Sequence, residues 1–221
     1  PLTAPLGRTP HPLHHAHPRA AQDLNDGFPL DACHLIPVAI PPQKTSGSMT
    51  SSADRLEMIR LAISGREGFT VSDVELKRPG TSYSIDTVNQ LKSNLAPDTE
   101  LYLMLGLDAF LEIDTWKSYK ALLHAIPFIV MARPNPGYDN LADRWQILKG
   151  FLHSNISEDY KFSSAKAGFV HPMMQSVYTY DVTLLDISSS KIRELIKGGW
   201  SARFLIPPKV EDFIRKKGMY L

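Results

Sequence analysis

The sequence predicts an α/β fold in which helices cover both faces of a parallel sheet. Two observations lead to this prediction: apolar segments alternate with segments of helical spacing, and the apolar segments are continuous, without interspersed polar residues. Size is a third, since 221 residues with a 43% hydrophobic fraction suit one sheet with a sizeable core. Ligands bind such sheets at the carboxyl ends of the strands, so the chemistry is expected in the loops that follow strands.

The spacing of apolar residues places the elements in chain order. Apolar residues three and four positions apart predict helices, as at Ile85, Val88 and Leu91, whereas short continuous apolar runs predict buried strands. The predicted strands are 33–39, 69–74, 100–105, 127–132, 168–172 and 182–186. The predicted helices are 20–27, 53–64, 84–95, 116–124, 141–152, 188–197 and 208–217.

Two segments are predicted to be irregular. Residues 1–19 are rich in proline and histidine and are interpreted as a loop or tail, because proline removes a backbone donor and fixes φ. Residues 45–52 are rich in Ser, Thr and Gly, which predicts a mobile loop.

Composition excludes several classes of protein. A formal net charge of +1 gives no global field for nucleic acid or a membrane surface. No apolar run reaches the roughly 18–20 residues of a transmembrane helix, and the N-terminus lacks the apolar core of a signal peptide. The single cysteine, Cys33, excludes internal disulfides and a cysteine-rich zinc site. These observations predict a cytoplasmic protein without nucleic-acid or membrane partners.

Residues 187–193 form a candidate anion site. The segment, Ile-Ser-Ser-Ser-Lys-Ile-Arg, is predicted to follow a strand and to open a helix. Serines at a helix start cap free backbone N–H groups, and the same groups with the helix dipole attract anions. Arg193 lies one turn further on and could form paired hydrogen bonds with phosphate oxygens. An ordinary N-cap followed by a surface arginine remains the alternative.

Other candidates follow predicted strands or turns. Gly106 ends a strand and lets another group approach the backbone closely, while Asp108 could accept from a ribose hydroxyl or cap the next helix. Trp116 and Tyr119, placed on a short helix, could stack on a base or pyridine ring or simply pack in the core. Lys44 follows two prolines and could reach a triphosphate or belong to the ordinary surface.

The histidines of the N-terminal segment suggest two interpretations. His14 and His17 are three residues apart and share a face if the segment is helical, which raises the possibility of a metal site. No acidic or cysteine ligands cluster nearby, so a tail without metal is the stronger interpretation of the residues alone.

Taken in order, these motifs resemble the nicotinate-mononucleotide adenylyltransferase family of the nucleotidyltransferase superfamily, from Gly7 to Tyr220. The family opens with Gly-Gly-Thr-Phe-Asp-Pro-Ile-His-x-Gly-His and a helix with Arg-Ala-Ala. The matching residues here are Gly7, Thr9, Pro12, His14, His17, Arg19, Ala20 and Ala21. Further matches are Pro-Pro-x-Lys at 41–44, Arg-x-x-Met at 55–58, Ser-Tyr-Ser-Ile-Asp-Thr at 82–87, Gly-x-Asp at 106–108, Trp116, the complete 187–193 motif, and Pro207, Val210, Phe213 and Ile214.

Five residues depart from the family's opening motif: Arg8, Pro10, His11, Ala16 and Pro18. Glycine allows backbone amides to approach phosphates, and Arg8 or Ala16 adds bulk there. Pro18 removes an N–H and is tolerable only in the first turn of a helix. Two alternatives therefore stay open: a nucleotide-binding homologue that no longer catalyses, and an enzyme that prefers nicotinamide mononucleotide.

The resemblance implies transfer of the AMP moiety of ATP to nicotinate mononucleotide in NAD biosynthesis, with Mg²⁺ carried on ATP. It implies a Rossmann-like doubly wound parallel sheet, in a single nucleotidyltransferase domain over 1–221 with a C-terminal helical end; homo-oligomerisation is left open. The implied catalytic residues are His14, His17 and Arg193. The implied ATP-binding residues are Gly7, Thr9, His14, His17, Lys44, Ile187, Ser188, Ser189 and Arg193. The implied substrate-binding residues are Tyr83, Ser84, Thr87, Gly106, Asp108 and Trp116.

Overall fold

A computed structural model describes the backbone of residues 2–6 and residues 12–28, 30–40, 50–132, 141–183 and 185–221. In this part of the chain, nine strands form one sheet. The strands are β1 (Leu2–Leu6), β2 (Ala32–Leu35), β3 (Phe69–Val71), β4 (Glu100–Leu101), β5 (Leu103–Gly106), β6 (Phe128–Ala132), β7 (Lys161–Ser163), β8 (Gly168–Val170) and β9 (Val177–Asp181).

Helices connect the strands and close the chain. They are α1 (Ala16–Gly27), α2 (Ser52–Ile63), α3 (Ser84–Asn94), α4 (Leu107–Phe110), α5 (Tyr119–Ala125), α6 (Leu141–Phe151), α7 (Ser189–Lys197) and α8 (Pro208–Lys217). A π-helical turn, Leu152–Ile156, continues α6. Among the described residues, every helix is too short or too polar to serve as a transmembrane span.

The order of the strands creates a crevice near the centre of the sheet. The order is β3-β2-β1-β5-β6-β9-β8-β7, with β4 also pairing with β1. Strands β1 to β6 and β9 pair in parallel, while β7 and β8 add an antiparallel edge. With β4 and β5 counted as one interrupted strand, the parallel part has the order of a doubly wound nucleotide-binding sheet. Successive strands are added on one side of β1 up to β3 and on its other side from β4 onward, so the strand order changes direction between β1 and β5. The carboxyl ends of these two strands therefore border the crevice where ligands bind.

Both faces of the sheet are buried, which is why its central strands read as continuous apolar runs. One cluster of buried residues packs α1, α2, α7 and α8 on the face that carries Met104, Ile129 and Met131. The other packs α3 to α6 on the face that carries Leu103, Leu105, Phe128 and Val130. The predicted sheet with helices on both faces is therefore confirmed.

Within residues 1–19, which were predicted to be a loop or tail, the described residues include a strand and the start of a helix. Residues Leu2–Leu6 form the strand between β2 and β4/β5. Pro5 hides this strand from sequence rules, because proline cannot donate to a ladder and is rare in central strands. The ladder on the β4/β5 side pairs Leu2, Thr3 and Leu6, leaving Pro5 at the break between β4 and β5. Helix α1 begins at Ala16, four residues before its predicted start.

Two further predictions were wrong in position. The strand predicted over 182–186 lies instead at Val177–Asp181, and Val182 only packs into the core behind it. Strand β9 borders the antiparallel edge and is only half buried, so its sequence shows less apolar continuity than the run after it. The helix predicted from Trp116 begins at Tyr119, which leaves Trp116 on the preceding turn. Strand β7 was not predicted.

Candidate active site

Two helix starts, those of α1 and α7, meet at the carboxyl edge of the sheet. The hydroxyl of Ser189, buried at the beginning of α7, donates to the Pro12 carbonyl over 2.9 Å. Pro12 precedes His14 and His17, so this bond fixes the histidine segment against α7. The family resemblance assigns both segments to one phosphate site, and the structure brings them together.

His14 and His17 are buried neighbours. Their side chains are 2% and 7% exposed, and their ring centroids lie 4.0 Å apart. The backbone between them is held on both sides: His17 N donates to His14 O and His15 N donates to Leu205 O, each at 3.1 Å. Imidazoles fixed in this way can donate to an anion without reorganising.

Two of the five departures from the family motif fit this backbone. Pro18 is the third residue of α1, and the N–H that it lacks would have served the His14 carbonyl, which instead accepts from His17. Ala16, the first residue of α1, is buried in a helical backbone. The other three, Arg8, Pro10 and His11, lie outside the described residues, as do Gly7 and Thr9.

The start of α7 has the features of an anion-binding helix terminus. Ser188 is the N-cap, and its hydroxyl accepts from Lys191 N at 3.1 Å, which confirms the predicted cap. The first amides of a helix have no acceptor within it and carry the positive end of its dipole. Arg193 is half-buried one turn further on, with Nη2 donating to Ser190 Oγ over 2.9 Å. Ile187, just before the cap, packs against the core and donates its amide to Leu185 O.

Gly106 is the last residue of β5, one of the two strands that border the crevice, and it leaves space there. Its φ of −69° is accessible to any residue, so the backbone does not require glycine. A Cβ added at Gly106 would meet no atom of the described residues within 4 Å. Asp108 follows in the first turn of α4 and is exposed. Neither the backbone conformation nor packing against the described residues therefore requires glycine at this position.

The residues predicted to contact the substrate ring lie around the start of α3. Tyr83 is the N-cap of α3 without a side-chain cap bond, and Ser84 begins the helix half-buried. Trp116 is also half-buried and packs against the cluster of the α3 face. Lys117, the residue after Trp116, contacts the start of α3: its Nζ lies 4.5 Å from the Tyr83 ring centroid and 3.0 Å from Asp86 Oδ2.

Thr87 is engaged inside the protein. Its hydroxyl donates to Glu75 Oε1 at 2.7 Å and accepts from Arg78 Nη2 at 2.9 Å. Its amide donates to Tyr83 O. These bonds give Thr87 a role in fixing the first turn of α3.

Two further sequence-based candidates are Lys44 and a metal site at the histidines. Lys44 lies outside the described residues. Within the described ranges, no group of three or more His, Cys, Asp or Glu side chains could hold a metal ion.

Comparisons with known proteins agree with this arrangement. The cytidylyltransferase-like family matches residues 11–195. A probable nicotinate-nucleotide adenylyltransferase of Geobacter sp. (strain M21) is 41% identical over 216 residues, 98% of this chain and 96% of the relative. One from Desulfatibacillum aliphaticivorans is 38% identical over 217 residues, 97% of each chain. The chain belongs to the nicotinate-nucleotide adenylyltransferase family.

Solved structures show the same fold at lower identity. The Plasmodium falciparum nicotinic acid mononucleotide adenylyltransferase complexed with NaAD superposes with a TM-score of 0.71 at 19% identity, covering 99% of this chain and 97% of that one. As a member of this adenylyltransferase family the protein is an enzyme, a nucleotidyltransferase. Nucleotidyltransferases generally use a divalent metal ion with ATP.

Two residues of this adenylyltransferase without a role predicted from the sequence, Arg55 and Ser82, hold together segments next to the candidate site. The guanidinium of Arg55 is buried on α2 and bonds to backbone on either side of the segment that carries Lys44. Ser82 bonds the exit of β2 to the start of α3. Both occur in family motifs, at 55–58 and 82–87, but a motif match alone does not say what a side chain touches.

Proposed function

We propose that the protein transfers the AMP moiety of ATP to nicotinate mononucleotide, giving nicotinate adenine dinucleotide and pyrophosphate. The proposal rests on the hydrogen bond from the Ser189 hydroxyl to the Pro12 carbonyl. This bond joins the starts of α1 and α7 beside the crevice between β1 and β5. Both relatives described above are named as probable nicotinate-nucleotide adenylyltransferases, which supports the same activity.

In this proposal the two helix starts bind the triphosphate. His14 and His17 donate from α1, while the Ser188–Ser189 turn and Arg193 donate from α7. Gly7, Thr9 and Lys44 are assigned to the same role by the family resemblance. Mg²⁺ would arrive on the triphosphate and would supply charge neutralisation there, so these residues would hold the ion through the nucleotide. The donors of both helix starts suit a nucleotide that brings its own metal ion.

The reaction requires alignment more than covalent chemistry. An oxygen of the mononucleotide 5′-phosphate attacks the α-phosphorus of ATP. The bond from that phosphorus to the oxygen bridging to the β-phosphate breaks, and pyrophosphate leaves with the electron pair. His14, His17 and Arg193 neutralise the negative charge that develops on the leaving pyrophosphate. The held geometry of both helix starts lowers the entropy cost of alignment.

The pyridine side of the substrate lies toward α3 in this proposal. The amides near Tyr83 and Ser84 bind the ring carboxylate, and Trp116 stacks on the ring. Gly106 provides room, and Asp108 accepts from a ribose hydroxyl. A ring carboxylate needs only N–H donors, whereas a carboxamide also needs an acceptor, so comparing the acid with the amide substrate tests which groups this part of the site supplies.

The number of domains and the cellular location are inferred from length and composition. We infer a single domain over 1–221 and a cytoplasmic location, consistent with one cysteine. Burial raises the pKa of the Cys33 thiol to about 12, so this thiol is unreactive at neutral pH.

The experiment is pyrophosphate release from ATP and Mg²⁺, with nicotinate mononucleotide and, separately, with nicotinamide mononucleotide. We expect release with the acid. Faster release with the amide would support the nicotinamide-preferring alternative. ATP binding without release from either substrate would support a homologue that does not catalyse.

A further inference from the structure

Lys117 forms an ion pair with Asp86 at the start of α3, the helix to which the pyridine end of the substrate is assigned. Lys117 Nζ lies 3.0 Å from Asp86 Oδ2 and 4.5 Å from the centroid of the Tyr83 ring. Asp86 belongs to the first turn of α3, and its amide donates to the Tyr83 carbonyl. The ammonium is therefore held beside the first turn of α3, whose amides are proposed to bind the ring carboxylate.

The turn that carries Lys117 is fixed on both sides. The Trp116 amide donates to the Ile113 carbonyl over 3.0 Å, and the Tyr119 amide donates to the Trp116 carbonyl over 3.2 Å. Ser118, the residue after Lys117, has a φ of 53°, in the left-handed region that residues other than glycine rarely adopt. Such a conformation persists only where the surrounding structure determines it. The fold thus places Lys117 against α3 at a cost in backbone energy.

Apolar packing, rather than this ion pair, holds α3 against α5. Val88 and Leu91 of α3 are buried in one cluster with Leu122 of α5. The side chains of Lys117 and Asp86 are 47% and 36% exposed, and exposed ion pairs contribute little to stability. The position of the pair therefore asks for an explanation other than stability.

The charges of the pair bear on which ring substituent the site accepts. A carboxylate in the first turn of a helix suits the helix itself, because the N-terminal end of the helix dipole is positive. The same carboxylate repels a second anion nearby. Asp86 alone would therefore weaken the binding of a ring carboxylate at the start of α3, and the ammonium of Lys117 offsets this repulsion.

We propose that Lys117 and Asp86 are specificity-determining residues: Lys117 neutralises Asp86 and so lets the start of α3 accept a pyridine carboxylate. The inference rests on the proposed function, in which the amides near Tyr83 and Ser84 bind that group. The acid and amide mononucleotides share the ribose, the 5′-phosphate and the pyridine ring. The ratio of their kcat/KM values therefore isolates the ring substituent, whereas a general loss of structure lowers both values.

The test measures this acid-to-amide ratio in two single variants and the double variant. Lys117→Met removes the cation but keeps a long side chain, so Asp86 repels the ring carboxylate and the ratio should fall about fivefold, the effect of two unit charges a few ångströms apart in water. Asp86→Asn leaves the positive charge of Lys117, so the ratio should rise by about the same factor. The double variant carries neither charge, so its ratio should return to within about twofold of wild type.

Lys92→Met is the matched control. Lys92 lies in the last turn of α3 and also reaches α5, where its ammonium donates to the Ala125 carbonyl. Its removal takes away the same charge at the other end of the helix, so the acid-to-amide ratio should stay at the wild-type value. A ratio that falls equally in Lys117→Met and Lys92→Met would overturn the proposal. So would a ratio that moves in the same direction, or not at all, in Lys117→Met and Asp86→Asn.

Equilibrium binding separates this inference from the proposed function. If the wild type releases no pyrophosphate, the proposed activity fails, but calorimetry with each mononucleotide still measures the preference. Lys117→Met should then weaken the binding of nicotinate mononucleotide about fivefold and that of nicotinamide mononucleotide by less than about twofold. Equal weakening of both would give Lys117 a purely structural role and contradict the proposal, as would a wild-type protein that binds neither mononucleotide.

Discussion

The two helix starts that form the candidate phosphate site are built in different ways. The start of α7 is local: Ser188 caps it, and the motif that makes it lies within seven residues. The start of α1 has no side-chain cap, since His15 has a helical backbone, and it depends on distant partners at Leu205 and Ser189. A locally encoded site is readable from sequence, whereas one built from tertiary contacts is visible only in the fold.

The largest effect is expected at the local start. Arg193→Ala removes the cation of α7 and should lower kcat/KM for ATP by about a hundredfold or more, because a hydrogen bond between charged groups is lost. Arg215→Ala, on the exposed side of α8 where the arginine pairs with Asp212, is the control and should change little. Equal effects of the two variants on steady-state kinetics would contradict the assignment.

Substitutions at two glycines, Gly27 and Gly106, should distinguish an effect on stability from an effect on substrate binding. A Cβ at Gly27 would lie 2.1 Å from the Tyr180 hydroxyl, so Gly27→Ala should lower the free energy of unfolding by about 1–3 kcal/mol. Gly106→Ala should leave unfolding in urea nearly unchanged, yet raise KM for a substrate. The reverse pattern would mean that the space at Gly106 is not used by a ligand.

Removing one hydroxyl should break the contact between the starts of α1 and α7. Ser189→Ala leaves the Pro12 carbonyl without this buried donor and should cost about 1–2 kcal/mol of stability. Ser188→Ala removes the side-chain cap of α7, at about 1 kcal/mol, but keeps the backbone amides that are proposed to donate to the triphosphate. If the comparison is right, Ser189→Ala also lowers activity more than Ser188→Ala does, because it releases the histidines. Similar activity losses in the two variants would argue that the junction does not position His14 and His17.

The smallest effect concerns pH and the far end of α1. Burial acts to raise the pKa of Asp23, but hydrogen bonds from Arg19 and the Thr183 amide outweigh it and lower the pKa. A carboxyl with a lowered folded-state pKa stabilises the fold above its unfolded pKa of about 3.9, and this contribution is lost as pH falls further. Asp23→Asn should therefore lower the melting temperature at pH 7, and the difference should shrink below about pH 4. A difference that stays constant as pH falls from 7 to 2 would contradict this origin.

Local signals explain which predictions succeeded. Helix α8 was predicted with its observed bounds, because Pro208 opens it and Gly218, with a φ of 60°, ends it. The apolar β6 was predicted within one residue, since a strand buried on both faces has no alternation to confuse it.

Tertiary context explains the failures. Strand β1 was missed because Pro5 contradicts a central strand, and only the break between β4 and β5 reveals how the ladder accommodates it. Strand β9 was displaced because it is half-buried at a sheet border. The roles of Arg55 and Ser82 depend on hydrogen bonds between residues 16 and 43 positions apart in the sequence, which no local pattern encodes.

The central claim is that both helix starts bind one triphosphate, and a double-mutant cycle tests it most directly. His17→Ala, Arg193→Ala and the double variant are compared by kcat/KM for ATP. If both side chains serve one ligand, the double variant should lose less than the product of the single losses, by about tenfold. Losses that multiply to within about twofold would show that the two starts act independently and would contradict the account.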